Sequence, residues 1–356
     1  MWLLSTATAE LKFFNDPEAI PGGYAILSHV WLSEGEDTFQ APSTPTTVSE
    51  AKTTDSDDPR DLISPKVCAF LKLAQRDGYE WAWSDTCCID KASSAELTEA
   101  INSMFRYYQL SDVCYVYLAD VPPGPFGKLF AQSRWHTRGW TLQELIAPKT
   151  VLFMAADWTL IGSKYELADE LERVAKVPVE VLRFDKDVAE VSVAARMSWA
   201  ARRKTTRVED EAYCLFGLFG INMPTLYGEG QNAFYRLQQE IMRTSIDTSL
   251  VAWGTVTPVS SVEELLRRAR MAAGHLQGYE FLLAPRVECY RYHAYTEFDE
   301  SRRFLCAQEV SRFFALTQSI CILTSIGTLL HSVKTDLAKS RLSKQSPPMA
   351  FYACFP

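Results

Sequence analysis

Basic residues are the minority in this 356-residue chain: 36 Lys and Arg stand against 44 Asp and Glu, a formal net charge of −8. That balance counts against a general nucleic-acid binder, whose phosphate contacts need clustered positive charge. No pair of the nine cysteines has CxxC spacing, and their number is odd. This argues against a disulfide framework or a structural zinc site and for reduced thiols in a cytoplasmic location. Walker-type and GxGxxG loops are missing, so phosphoryl transfer and a Rossmann dinucleotide site have no support. A spanning helix wants roughly 20 predominantly apolar residues. The nearest stretch, 313–333, is uncharged but interrupted by Gln318, Gly327, His331 and several Ser and Thr. No membrane span is expected. The first eight residues lack a basic n-region and are followed by Glu10 and Lys12, so no signal peptide is expected either.

What is present is an ordinary soluble composition, 47% hydrophobic and 22% charged, long enough for a sizeable core. Residues 24–28 form an apolar run behind Pro21-Gly22-Gly23 and read as a buried strand. Residues 41–65 are rich in Pro, Ser, Thr and Asp and read as a solvated insertion. Helical spacing covers 66–77 up to Gly78, and 79–89 reads as a second strand. A capping box, Ser93 to Glu96, opens a helix to Leu110 with Leu97, Ile101, Met104, Phe105 and Tyr108 along one stripe. Strands are expected at 113–118 and 151–154, with helices at 140–146 and 164–174. This alternation predicts a parallel sheet of four or five strands flanked by helices. From Ser192 the pattern turns helical, with a second capping box at Thr206 and Glu209 and an amphipathic stretch over 231–243. Past about 255 the periodicity weakens, and that tail is expected to pack poorly and be dispensable.

Ligands of parallel sheets bind beyond the carboxyl ends of the strands. Ser28 and His29 fall at the first such end, Asp85 and Asp90 around the second and Asp120 after the third, with Glu144 on the next helix. Carboxylates near Trp31, Trp81, Trp83 and Trp140 suit a flat, hydroxyl-bearing ligand. Asp and Ser at strand ends also cap helices and turns, and spacing by itself favours that role. Cys87 and Cys88 alternate along the expected strand with no paired base, which reads as buried, inert thiols. The basic run Arg202-Arg203-Lys204 is followed by Glu209, Asp210 and Glu211, which reads as a solvated ion-pair surface.

Eight stretches in order resemble the fungal heterokaryon-incompatibility (HET) domain: 24–31 (YAILSHVW), 83–91 (WSDTCCIDK), 94–105 (SAELTEAINSMF), 113–121 (VCYVYLADV), 133–148 (SRWHTRGWTLQELIAP), 196–201 (RMSWAA), 206–219 (TRVEDEAYCLFGLF) and 223–230 (MPTLYGEG). The resemblance runs from residue 1 to about 254. Leu32 stands where the family usually has glycine, and the last hundred residues match little of the pattern.

The resemblance implies an α/β fold: a TIR/flavodoxin-like parallel sheet flanked by helices over 1–191, followed by a helical subdomain over 192–254 and a poorly defined region over 255–356. It implies an effector of vegetative incompatibility, the self/non-self recognition that ends in programmed cell death when unlike fungal cells fuse. The HET domain is itself similar to the Toll/interleukin receptor (TIR) domain. NAD-cleaving TIR domains carry a glutamate in a Ser-x-Trp-Cys-x-x-Glu-Leu stretch. Carried over, that glutamate is Glu144, with Thr141 in place of the cysteine and the serine displaced to Ser133. Two function classes follow. One is a glycohydrolase with NAD as substrate and no resident cofactor or metal, where Glu144 stabilises an oxocarbenium-like state. Ser28, His29, Trp31, Asp85, Asp120 and Trp140 would then bind the substrate. The other is a non-enzymatic module that self-associates as a homo-oligomer and recruits cell-death partners. Either would answer to a sensor or incompatibility partner protein.

Overall fold

A computed structural model of the chain describes residues 1–31, 35–39, 58–125, 127–251, 255–259, 283–291 and 351–355. Most of the insertion, the residue after Trp31 and the 313–333 stretch lie outside these. Among the described residues no helix is long and apolar enough to cross a membrane.

The centre of the molecule is a seven-stranded mixed sheet. In chain order its strands are β1 (Trp2–Ser5), β2 (Leu11–Phe13), β3 (Ala25–His29), β4 (Trp81–Trp83), β5 (Val113–Tyr117), β6 (Val151–Met154) and β7 (Leu160–Ser163), arranged β2-β1-β4-β3-β5-β6-β7. The central four, β4-β3-β5-β6, are parallel, as the alternation of strands and helices predicts. β1 and β2 add antiparallel strands at one edge and β7 at the other, so the sheet exceeds the expected four or five. These edge strands are only three or four residues long, too short for a two-residue alternation to stand out. β7 is set by a turn in which Trp158 takes a φ of 66° and stacks on Tyr117 at 4.5 Å.

The expected second strand is also shortened. After Trp83 the chain turns, and the amides of Cys87 and Cys88 both donate to the Ser84 carbonyl. The two cysteines are buried in that turn rather than alternating along a strand. Burial pushes the Cys87 thiol up to about 12, as expected for an inert group. The insertion ends before 65: Asp58 pairs with Arg60, which reaches the Thr6 carbonyl at 3.1 Å, and Ile63 is buried.

Crossover helices α1 (Pro65–Arg76), α2 (Ser94–Leu110), α3 (Gly127–Gln132) and α4 (Thr141–Ile146) connect the parallel strands. Ser93 caps α2 by accepting from the Glu96 amide at 3.3 Å, but the Glu96 carboxylate reaches back further, to the Asp90 amide at 3.1 Å. After β7 come α5 (Ala168–Ala175) and α6 (Val179–Leu182). α5 starts later than the pattern predicts because Lys164 turns inward to the carbonyls of Leu145 and Pro148.

The helical stretch contains α7 (Val193–Ala200), α8 (Asp210–Tyr213), α9 (Phe216–Phe219) and α10 (Asn232–Thr244). Thr206 does not cap α8. Glu209 instead accepts the amides of Gly228 and Gly230 at 2.8 and 3.0 Å, and Tyr213 and Tyr227 bond Glu229 and Asp210. The stretches 206–219 and 223–230 thus lock together. They also share the sheet's apolar core, with Asn102 of α2 bonded to both the amide and the carbonyl of Met223. Beyond them, β8 (Thr255–Val259) pairs antiparallel with β9 (Phe351–Phe355). The expectation that everything past 255 packs poorly fails at 283–291, where Leu283, Ala284, Val287 and Tyr290 are buried in the same core.

α9 lays Gly217 directly on Phe105 of α2, and an added Cβ would stand 2.0 Å from the Phe105 Cβ. Gly217→Ala is therefore expected to lower stability by about 1–3 kcal/mol through overpacking. A urea midpoint that drops with an unchanged m-value checks this, and an unmoved midpoint would refute it.

Candidate functional site

β3 ends in Ser28 and His29, and consecutive strand residues point to opposite faces. Ser28 faces α2 and α4. There its hydroxyl donates a short hydrogen bond to Glu144 Oε2 and accepts from the Trp135 indole Nε1 at 2.7 Å. Tyr108 of α2 lies beside Glu144 and donates to the Leu27 carbonyl at 3.0 Å.

α4 is buried along its whole length. Two residues before it lies Gly139, where a side chain would collide with Thr205: a Cβ would stand 2.5 Å from the Thr205 methyl. This close approach lets the Gly139 amide reach the Lys204 carbonyl at 2.9 Å. Arg203 then binds the Arg138 carbonyl at 3.0 Å and Thr141 Oγ1 at 2.9 Å. Arg203 is thus part of the wall behind α4, not of the solvated ion-pair surface read from its sequence neighbours. At the other end Lys164 donates to the carbonyls of Leu145, at 3.1 Å, and Pro148.

Burial raises the Glu144 carboxyl to about 8, with Asp85 adding to the rise, while Ser28, Arg203 and Arg138 work against it. At neutral pH the group is mostly the uncharged acid. Burial also lowers Lys164 to about 7.

His29 faces the other way. Its Nε2 is 3.7 Å from Asp85 Oδ1 and 3.9 Å from Glu36 Oε2, and neither ring nitrogen makes a hydrogen bond among the described residues. Burial, then the nearby Lys66 ammonium, push its pKa down to about 3, so the ring is neutral. Lys66 pairs with Glu36. Trp31 is 47% exposed and donates to Asp85 at 2.8 Å, while Lys91 sits 3.8 Å over the Trp31 ring.

The structure therefore divides the candidates. Ser28 and Glu144 meet on one face, and His29, Trp31 and Asp85 meet on the other at the same strand end. Asp120 lies apart, capping the turn at 134–137 by accepting from Ser133 Oγ at 2.7 Å and the Arg134 amide at 2.8 Å. Trp140 also lies apart, its side chain near Asp210. Spacing alone missed Trp135, Tyr108 and Arg203. The available signal for Trp135 was chemical: a tryptophan in the same stretch as Glu144 needs a partner for its N–H when buried. Among the described residues, no group of three or more His, Cys, Asp or Glu is arranged to hold a metal ion.

Glu144 has a folded pKa raised from 4.5 to about 8. The folded state then holds the proton more tightly than the unfolded one. The stability this contributes is complete below 4.5 and is lost as pH rises through about 8. Glu144→Gln carries no titratable proton and should escape that loss. Urea midpoints of both proteins across this window should diverge in favour of Gln as pH rises. Comparing the two cancels the opposing contributions of His29, His136 and Lys164, all of whose pKa values burial lowers. Parallel curves would refute the assignment.

Residues 24–123 match the sequence model of the family described as Heterokaryon incompatibility protein (HET). Residues 232–345 match a second, described as Domain of unknown function (DUF8212), which straddles residue 254. Vegetative incompatibility protein HET-E-1 of Podospora anserina is 42% identical over 227 residues, 61% of this chain. The chain covers only 16% of that relative's length. No solved structure matches significantly. In sequence, the chain is similar to a protein of vegetative incompatibility, and β3, β4 and β5 with the crossover helices α1 and α2 carry the match to the HET family.

Proposed function

We propose that this chain is an effector of vegetative incompatibility that triggers cell death in the cytoplasm as a self-associating signalling module, answering to a separate sensor. The HET match and the resemblance to HET-E-1 support the biological role. The closure of Glu144 supports the non-enzymatic mechanism. Its carboxyl is buried, held by Ser28 and mostly protonated at neutral pH. An uncharged acid cannot stabilise a ribosyl cation, so in this conformation Glu144 acts as an internal clamp.

One observation favours the second reading, cleavage of NAD. The parallel order β4-β3-β5-β6 corresponds to 2-1-3-4 of a flavodoxin-like sheet, and Ser28 with Glu144 lies where the strand order reverses, the usual ligand position. That reading requires α4 to move so that Glu144 ionises beside a ribose.

Glu144→Gln keeps the volume and mimics the protonated acid. At matched soluble protein it is expected to kill cells as wild type does, with cellular NAD unchanged by either. Loss of killing in a folded Glu144→Gln protein, with NAD consumed only by wild type, would replace the clamp with a catalytic carboxylate.

A further inference from the structure

α10 has an apolar stripe, Phe234, Leu237 and Ile241, yet Gln238 is 0% exposed on the same helix. A buried primary amide is costly unless both its donor and its acceptor are used. Gln238 satisfies that condition by reading the main chain of one residue. Its Nε2 donates to the Ala284 carbonyl at 2.8 Å, and its Oε1 accepts from the Ala284 amide at 2.8 Å. Glu211 of α8 holds the same segment a little further on, accepting from the Val287 amide at 2.7 Å and pairing with Arg286 at 3.4 Å. Tyr290 donates to the Leu250 carbonyl. Leu283, Val287 and Tyr290 are buried against this surface, and the 287–290 turn packs on α7.

Main-chain bonds combined with side-chain sockets are how proteins bind short peptides. Glu211 and α7 lie outside the 232–345 match, whereas Gln238 and the bound segment lie within it. The contact therefore ties that region to the preceding one. We propose that α7, α8 and α10 form a peptide-recognition groove whose ligand is this chain's own 283–291 segment, seated in cis as a latch. The partner it fits is an apolar peptide with a small residue at the position of Ala284, an arginine two residues later and a closing turn that carries an aromatic hydroxyl, as in the resident segment. This holds whether or not the chain acts by cleaving NAD.

The test uses a fluorescent synthetic peptide of residues 281–292 and the full chain. Wild type is expected to bind it poorly, because the resident segment competes at very high effective concentration. Leu283→Asp with Val287→Asp disables the segment while leaving the groove intact. It should bind the peptide at least about tenfold more tightly than wild type, since the competent state is no longer masked. Adding Gln238→Leu, which keeps the apolar packing but cannot read the main chain, should remove that binding. If the double Asp variant does not fold, Tyr290→Phe loosens the latch by one hydroxyl and should still bind more tightly than wild type. A folded segment variant that binds no better than wild type would overturn the groove. So would binding unaffected by Gln238→Leu. A wild-type chain isolated as a dimer with exchanged 283–291 segments would overturn the seating in cis.

Discussion

A short helix buried on every side must find partners for its polar ends inside the protein, and α4 imposes that requirement on everything around it. At its start Arg203 and Thr141 bring the 203–205 segment against Gly139, which works only because Gly139 has no side chain. At its end Lys164 takes the last carbonyls, so the chain after β7 turns inward before α5 begins. In its middle Glu144 is answered by Ser28, and Ser28 by Trp135. Sheet, crossover helix and helical stretch are thus joined by polar contacts that converge on α4 and the residues flanking it.

The charges in this network are handled by suppressing them. Glu144 is held as the acid, Lys164 loses much of its hold on its proton, and His29 is kept neutral beside Asp85 and Glu36. Such arrangements occur in active sites and in structural networks alike, and shifted acidity does not distinguish them. The geometry does. Glu144 is already hydrogen-bonded and enclosed, while the exposed member of the neighbouring cluster is Trp31, already occupied by Asp85 and Lys91. The exposed surface at this strand end is an aromatic ring covered by an ammonium.

The motifs of the helical stretch serve mutual support. Glu209, Asp210 and Tyr213 engage the loop at 226–230, and Glu211 reaches the segment at 286–287. A run that reads as alternating surface charge becomes a set of main-chain contacts once the loop folds back. A carboxylate accepting two glycine amides forgoes no solvation that those bonds do not replace.

The sequence by itself determined the parallel centre of the sheet, the capped helix α2 and the amphipathic helix α10. Their signals are local: apolar runs bounded by Gly and Pro, a Ser cap, and a stripe of 3.6-residue period. It also identified the resemblance to the HET family, which rests on ordered short stretches rather than on geometry. It brought Ser28 and Glu144 to notice, though not to each other. Tertiary structure decided the rest. The edge strands exist through pairing partners far along the chain, and Ser28 and His29 were parted by the alternation of a strand whose two faces receive different helices. Asp120 became a turn cap because the residues that claim it arrive from 133–134, and Trp140 came to lie near Asp210, 70 positions later. Gln238 looks like a surface residue in an amphipathic helix until Ala284, 46 positions later, supplies the amide and carbonyl that it reads. No local pattern encodes a partner that distant. The proton on Glu144 is a matter of burial, which only the folded chain provides.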